Sequence, residues 1–219
     1  MKYGLLYTMV TRTTGLLSRT VFHFRKTEVN YMVNQLKGIK NKRILDYGCN
    51  TGYLLYKIYK KNPHNQLYGA EINKHALDYA KNKYSKFTFL DAKTELFDKE
   101  KFDIIIISHV LEHIKDRSKF MKEIDDLLNE NGRLIIAIPQ ERIRGDATIF
   151  QIIFNAFMLR FENPHVVNLK FKDLKTLLYT IDHQIEQKVY TNYLYPFKSN
   201  KRRLDAWSLI TSSTKTNKL

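Results

Sequence analysis

The stretch RILDYGCNTG, residues 43–52, sets Asp46 ahead of Gly48 and Gly52, in a chain that has only 8 glycines. RILDYG has the character of a buried strand and YLLYKIYKK that of a helix, so both glycines fall at a strand-to-helix corner. In an open parallel sheet, ligands bind outside the carboxyl ends of the strands. Glycine lets the backbone turn tightly and approach a ligand closely. The spacing departs from the dinucleotide fingerprint G-x-G-x-x-G, which disfavours a nicotinamide oxidoreductase. A carboxylate ahead of the first glycine repels phosphate and attracts a cation. Glu71 ends the next apolar stretch, QLYGAE, where an acid can accept hydrogen bonds from both ribose hydroxyls. Together the two acids call for a ligand with a ribose and a positive charge, and without phosphates.

A second group lies in SHVLEHIKD, residues 108–116, which holds His109, Glu112 and His113. An unperturbed imidazole titrates near neutrality, so both histidines are candidate proton acceptors. The alternative for His113 is a structural histidine that braces the corner. Four residues apart, the two rings share a face if a helix has begun by then.

Such corners need alternating strands and helices to position them. Val29, Met32, Val33, Leu36 and Ile39 recur at helical spacing and predict an amphipathic helix over about 20–40. Strands are expected at 43–48, 66–71, 86–90, 102–108 and 133–139. Helices are expected from near Thr51, over 73–83, and over KFMKEIDDLLNENG, the last ended by Gly132. FDIIIIS is a continuous apolar run, as a strand covered on both faces requires. The alternation argues an α/β fold with a doubly wound, mostly parallel sheet. After Pro139 the rhythm changes. Residues 147–161 are strongly apolar, FKDLKTLLYT reads as a helix, and QIEQKVYTNYLY and DAWSLITSST read as a C-terminal strand pair, a hairpin. The expected division is an N-terminal helical segment over 1–40 and a domain over 41–219 with an apolar insertion near 141–168.

The chain's 219 residues suffice for one well-buried α/β domain. Its net charge of +15 has two readings. One is an anionic partner: nucleic acid, a membrane surface or a phosphorylated substrate. The other is a lysine-rich composition, because the lysines are spread along the chain. Lys2, Arg12, Arg19, Arg25 and Lys26 precede Glu28, the first acid. That segment is transit-peptide-like in composition, or a helix that touches anionic lipid, or one that packs on the domain. No stretch approaches the roughly 18 apolar residues of a membrane span, and no secretory signal is evident. Cys49, the one cysteine, excludes an internal disulfide and fits a reducing compartment. A cytoplasmic location follows, with peripheral membrane contact as an option.

Four segments over about 40–140 resemble the class I S-adenosylmethionine-dependent methyltransferases and their Rossmann-like fold. DYGCNTG resembles their D-x-G-x-G-x-G turn, GAE their strand-two acid, FLDA their adenine-side acid and SHVLEHI their post-strand-four corner. The departure is Asn50 in place of the middle glycine, and Asn tolerates left-handed backbone. The resemblance implies S-adenosylmethionine as cofactor. Asp46 and the Gly48–Gly52 backbone with Asn50 would hold its methionine part. Glu71 would bind the ribose, Ile72 would pack on the adenine, Asp91 would accept from the exocyclic amine with Ala92 beside it, and Ser108 would border the site.

Within that family, the VLEH stretch and NPHVVNLKFKDL resemble small-molecule and lipid methyltransferases, the ubiquinone-biosynthesis O-methyltransferases among them. The base-amine NPPY-type loop is absent. Small-RNA 2′-O-methyltransferases carry a similar E-x-x-E-H segment that helps bind a divalent metal, but His109 replaces its first Glu. His109, Glu112 and His113 with His165 would offer three imidazoles and a carboxylate, a set that suits zinc, iron or nickel. No metal ligand is assigned from the sequence. Arg142, Arg144 and Arg160 flank the apolar 147–161 stretch, and Tyr193, Tyr195 and Phe197 precede Lys198, Lys201, Arg202 and Arg203. This mixture suits a small or lipid-linked acceptor, methylated at oxygen, with contact to an anionic membrane. An RNA methyltransferase and an inactive binding subunit of the same fold are the rival readings. The oligomeric state is left open.

Overall fold

In a computed structural model, residues 23–93, 101–140 and 169–216 are described. The elements in chain order are α1 (His23–Gln35), β1 (Arg43–Tyr47), α2 (Tyr53–Lys61), β2 (Gln66–Glu71), α3 (Lys74–Lys83), β3 (Thr88–Asp91), β4 (Phe102–Ser108), α4 (Arg117–Asp126), β5 (Leu128–Pro139), α5 (Phe171–Tyr179), β6 (His183–Asn192), β7 (Lys198–Ser199) and β8 (Ala206–Lys215). Residues 1–22 of the expected N-terminal helical segment over 1–40, and the apolar 141–168 insertion with Arg142, Arg144, Arg160 and His165, lie outside the described residues.

The strands form one sheet in the order β3-β2-β1-β4-β5-β8-β6-β7. The first five are parallel, and β8 runs antiparallel to both β5 and β6. The C-terminal strand pair expected from the sequence is this β6–β8 pairing. The reason for the unbroken FDIIIIS run is visible in β4. Successive side chains of a strand point to opposite faces. Ile105 and Ile107 pack with Met121, Ile124 and Leu174 on the α4–α5 side. Ile104 and Ile106 pack with Leu55, Ile58 and Leu77 on the side of α1, α2 and α3. Met32, Val33 and Leu36 at the end of α1 join that second cluster.

One element differs from expectation. The helix anticipated up to Gly132 ends at Asp126, and β5 already begins at Leu128. Leu128 pairs with Phe102, and pairing resumes only at Arg133 with Ile104, so residues 129–132 bulge opposite Asp103. Asp103 clamps the bulge by accepting from Asn129 Nδ2 at 3.3 Å and from the Arg43 backbone N–H at 2.9 Å. Gly132 serves the bulge rather than a helix end. A Cβ there would stand 2.8 Å from the Asn129 carbonyl oxygen and 2.8 Å from Leu128 Cδ2. A clash with backbone cannot be relieved by a rotamer change. Gly132→Ala is therefore expected to cost about 1–3 kcal/mol in urea denaturation. An unchanged midpoint would contradict the packing assigned to the bulge.

Candidate active site

The β1–α2 turn is built on left-handed backbone. Gly48, Asn50 and Gly52 have φ of 83°, 48° and 73°. Asn50, the departure from the glycine pattern, thus adopts the conformation that Asn tolerates better than most residues. Gly48 has a second reason to lack a side chain, since a Cβ would lie 2.4 Å from Val110 Cγ2. The backbone N–H groups of Gly48 and Cys49 both donate to the Ala70 carbonyl, at 2.8 and 3.0 Å, tying the turn to β2.

Glu71, at the end of β2, anchors two turns at once. Its Oε2 accepts from the Asn50 N–H at 2.8 Å, and its Oε1 from the Asn73 N–H at 2.8 Å. Asn73 in turn caps α3 by accepting from His75 and Ala76. Burial raises the Glu71 carboxyl, and the N–H groups of Asn73, Asn50 and Ile72 partly offset that. Asp46 lies inside β1, 2% exposed. Burial, and after it the field of Glu71, pushes its carboxyl up to about 7. The charged group acting on Asp46 is another acid, an arrangement that a bound cation would relieve.

The neighbouring strand ends continue this edge. Asp91 is in register with Glu71 and accepts from the Lys93 N–H at 2.9 Å. The Ala92 N–H donates to the Glu71 carbonyl at 3.2 Å. Ile72 is 40% exposed beside them. The structure therefore brings Asp46, Gly48, Asn50, Gly52, Glu71, Ile72, Asp91 and Ala92 to the carboxyl ends of β1, β2 and β3.

Ser108 ends β4, and His109 follows it with φ of 55°, its N–H donating to the Ala137 carbonyl at 2.9 Å. The expected shared helical face is not formed. Leu111–His113 is a single 3₁₀ turn, and α4 starts only at Arg117 behind the Asp116 cap. The 3₁₀ turn is too short to align His109 with His113. His109 instead turns to α1, where its Nε2 lies 2.7 Å from Glu28 Oε1. The Trp207 indole N–H donates to Glu28 Oε2 at 3.1 Å, and the Arg25 guanidinium lies over the Trp207 ring. Burial alone would raise the Glu28 carboxyl, but His109, Arg25 and Trp207 outweigh it and hold it at about 2. Glu112 is fully buried, with Oε1 at 3.7 Å from His109 Nδ1 and 4.0 Å from His113 Nε2. The His113 side chain is 29% exposed and that of His109 only 12%. Among the described residues no three His, Cys, Asp or Glu side chains converge to hold a metal ion.

Sequence reasoning missed Glu28, Trp207 and Val110 as parts of this edge. A signal for Glu28 was present. Glu28, Met32 and Leu36 recur every fourth residue and are all buried, so an acid stands on the apolar face of α1. Nothing in the local sequence marks Trp207 or Val110.

A methyltransferase-domain family model matches residues 39–195. A ubiquinone biosynthesis O-methyltransferase of Pelagibacter ubique is 29% identical over 129 residues, covering 57% of this chain and 52% of that protein. A carboxy-S-adenosyl-L-methionine synthase of Campylobacter lari is 30% identical over 104 residues, covering 45% and 44%. This chain thus spans about half the length of these two relatives. Magnesium protoporphyrin IX methyltransferase from Synechocystis PCC 6803, crystallised with bound S-adenosylhomocysteine, superposes with a TM-score of 0.63. That match covers 88% of this chain and 84% of that one at 17% identity, so it speaks for a shared Rossmann-like fold. With a model that matches well over half its length, the chain belongs to the methyltransferase-domain family.

Proposed function

We propose that the chain binds S-adenosylmethionine at the β1–α2 turn and catalyses transfer of its methyl group to the oxygen of a small-molecule acceptor. The observation that carries this reading is the buried acid pair, Asp46 and Glu71, set in a left-handed glycine turn with no cationic group among those that shift them. Such a site suits a ligand with a cation and a ribose. The cofactor supplies, when bound, a methyl group on a positively charged sulfur. Asp46 faces the cationic end, and the Gly48–Gly52 backbone, Asn50 included, cradles the methionine part. The Glu71 carboxylate takes backbone N–H groups from Asn50, Asn73 and Ile72, and its remaining acceptor capacity serves a ribose hydroxyl. Ile72 offers apolar surface to the adenine, Asp91 accepts from its amine beside Ala92, and Ser108 borders the site.

An acceptor hydroxyl must lose its proton as it attacks, and holding it at near-attack distance supplies much of the rate. His113 is the base in this reading, because its imidazole is the more exposed of the two. His109, held by Glu28, braces the corner. The ubiquinone-biosynthesis relatives favour oxygen as the methylated atom. A lipid-linked acceptor is the finer form. Leu194, Tyr195 and Leu204 are exposed at 65, 83 and 79% on the connection from β6 to β8, interleaved with Lys198, Lys201, Arg202 and Arg203. That connection adjoins the end of β5, since Arg202 donates to the Gln140 carbonyl at 2.9 Å. No helix of the described residues is long and apolar enough to cross a membrane.

The acid pair makes a pH prediction. Asp46 binds a proton more tightly folded, at about 7, than its ordinary value of 3.8. Its contribution to stability is therefore full below about pH 4 and is lost as pH rises through 7. At about 1.4 kcal/mol per pKa unit, the loss is on the order of a few kcal/mol. The ligand-free protein is expected to melt at progressively lower temperature between about pH 4 and 7 and to level off above that, and Asp46→Asn to flatten that slope while weakening S-adenosylmethionine binding. Parallel slopes for both proteins would remove Asp46 as the titrating group. For the chemistry, transfer of labelled methyl into a small-molecule extract is expected to fall at least a hundredfold in His113→Ala, with cofactor binding retained. Undiminished transfer would return His113 to a bracing role.

A further inference from the structure

The chain's positive charge is not evenly distributed. Residues 53–87 carry seven lysines and two acids, and of those acids Glu71 is buried in the cofactor turn while Asp78 pairs with Lys74 at 3.2 Å. Residues 115–127 and 169–180, around α4 and α5 on the other side of the sheet, carry seven bases and five acids. A lysine-rich composition alone would load both faces alike.

The excess is organised around rings. Tyr56 stacks on Tyr84 at 5.4 Å between centroids, and Tyr84 stacks on Phe87 at 5.6 Å, joining α2 to the segment after α3. Lysine ammonium groups lie over this ladder. Lys60 stands 5.7 Å from the Tyr56 centroid and Lys83 5.4 Å from Tyr84, and Lys86 stands 5.6 Å from Tyr59, whose ring is tilted against Phe87. Tyr56, Tyr59, Tyr84 and Phe87 are each half-buried among these lysines.

We infer that the α2–α3 face binds a single-stranded nucleic acid, its phosphates on the lysines and its bases against the exposed parts of the aromatic cluster. Phosphate neutralisation by clustered lysines supplies sequence-independent affinity, and aromatic side chains set among the cations are the usual companions of such a groove. A lipid bilayer fits less well, because peripheral binding needs apolar side chains to insert. Of the exposed large apolar residues, Tyr179, Leu194, Tyr195 and Leu204 lie elsewhere, and Ile72 borders the cofactor turn. The face runs back from the cofactor turn along α2 and α3, so it tethers a strand beside the site. This inference does not rest on the identity of the methyl acceptor.

The test is fluorescence anisotropy of the full chain with a labelled oligouridylate across a salt series. One variant carries Lys57→Gln, Lys60→Gln, Lys83→Gln and Lys86→Gln. The control carries Lys115→Gln, Lys122→Gln, Lys172→Gln and Lys175→Gln, the same charge loss on the other face. Wild type and control are expected to bind alike, and the α2–α3 variant at least tenfold more weakly. Its salt slope should be shallower by about 3, near 0.7 per lost phosphate contact. Equal losses in both variants, or no binding of wild type at low salt, would overturn the inference. So would anionic vesicles that bind through these four lysines while the oligonucleotide does not. Calorimetry with S-adenosylmethionine on the same variants separates this outcome from a failure of the cofactor reading, since neither set touches the acid turn.

Discussion

Two carboxylates that share a buried corner repel each other and lose hydration, and a fold accepts that cost only if other groups offset it. Here the offset comes from backbone. Glu71 takes N–H groups from Asn50 and Asn73, one from each flanking turn, and so couples the β1–α2 loop to the start of α3. For Asp46, burial and the field of Glu71 push the carboxyl up to about 7. The left-handed turn at Gly48, Asn50 and Gly52, the Val110 methyl seated over Gly48, and the register of β1 with β2 all serve to hold this acid pair at the strand ends.

The second constraint is the corner after β4. His109 leaves the strand in a left-handed conformation that few side chains adopt without compensation. The compensation comes from far along the chain. Glu28 on α1 takes its Nε2, and Trp207 at the start of β8 takes the other Glu28 oxygen. One buried acid therefore binds α1, the corner after β4 and β8 together. His113, three residues beyond Val110, is left as the more exposed imidazole at the edge of the proposed acceptor site.

Much of this was legible in the sequence where the signal is local. FDIIIIS reads as a two-faced strand because both of its faces are covered, and DYGCNTG announces its turn because left-handed backbone restricts residue choice. Signals that depend on tertiary context misled or were silent. NENG after an amphipathic helix reads as a helix stop, yet Gly132 is required by a bulge that only the pairing of β4 with β5 creates. The same limit explains the two histidines, whose spacing suggested one helical face before Asp116 set the start of α4. The partnership of Glu28 with His109 spans 81 positions and leaves as its only trace a charge on an apolar helix face.

The acid turn at the ends of β1, β2 and β3 is the proposed seat of S-adenosylmethionine. Amide chemical-shift mapping of ¹⁵N-labelled protein during titration with the cofactor locates that seat residue by residue. Saturable shifts are expected to be largest at Gly48, Asn50, Gly52, Ile72 and Ala92, with the amides of α5 and β6 little changed. Shifts centred elsewhere, or none at millimolar cofactor, would contradict it.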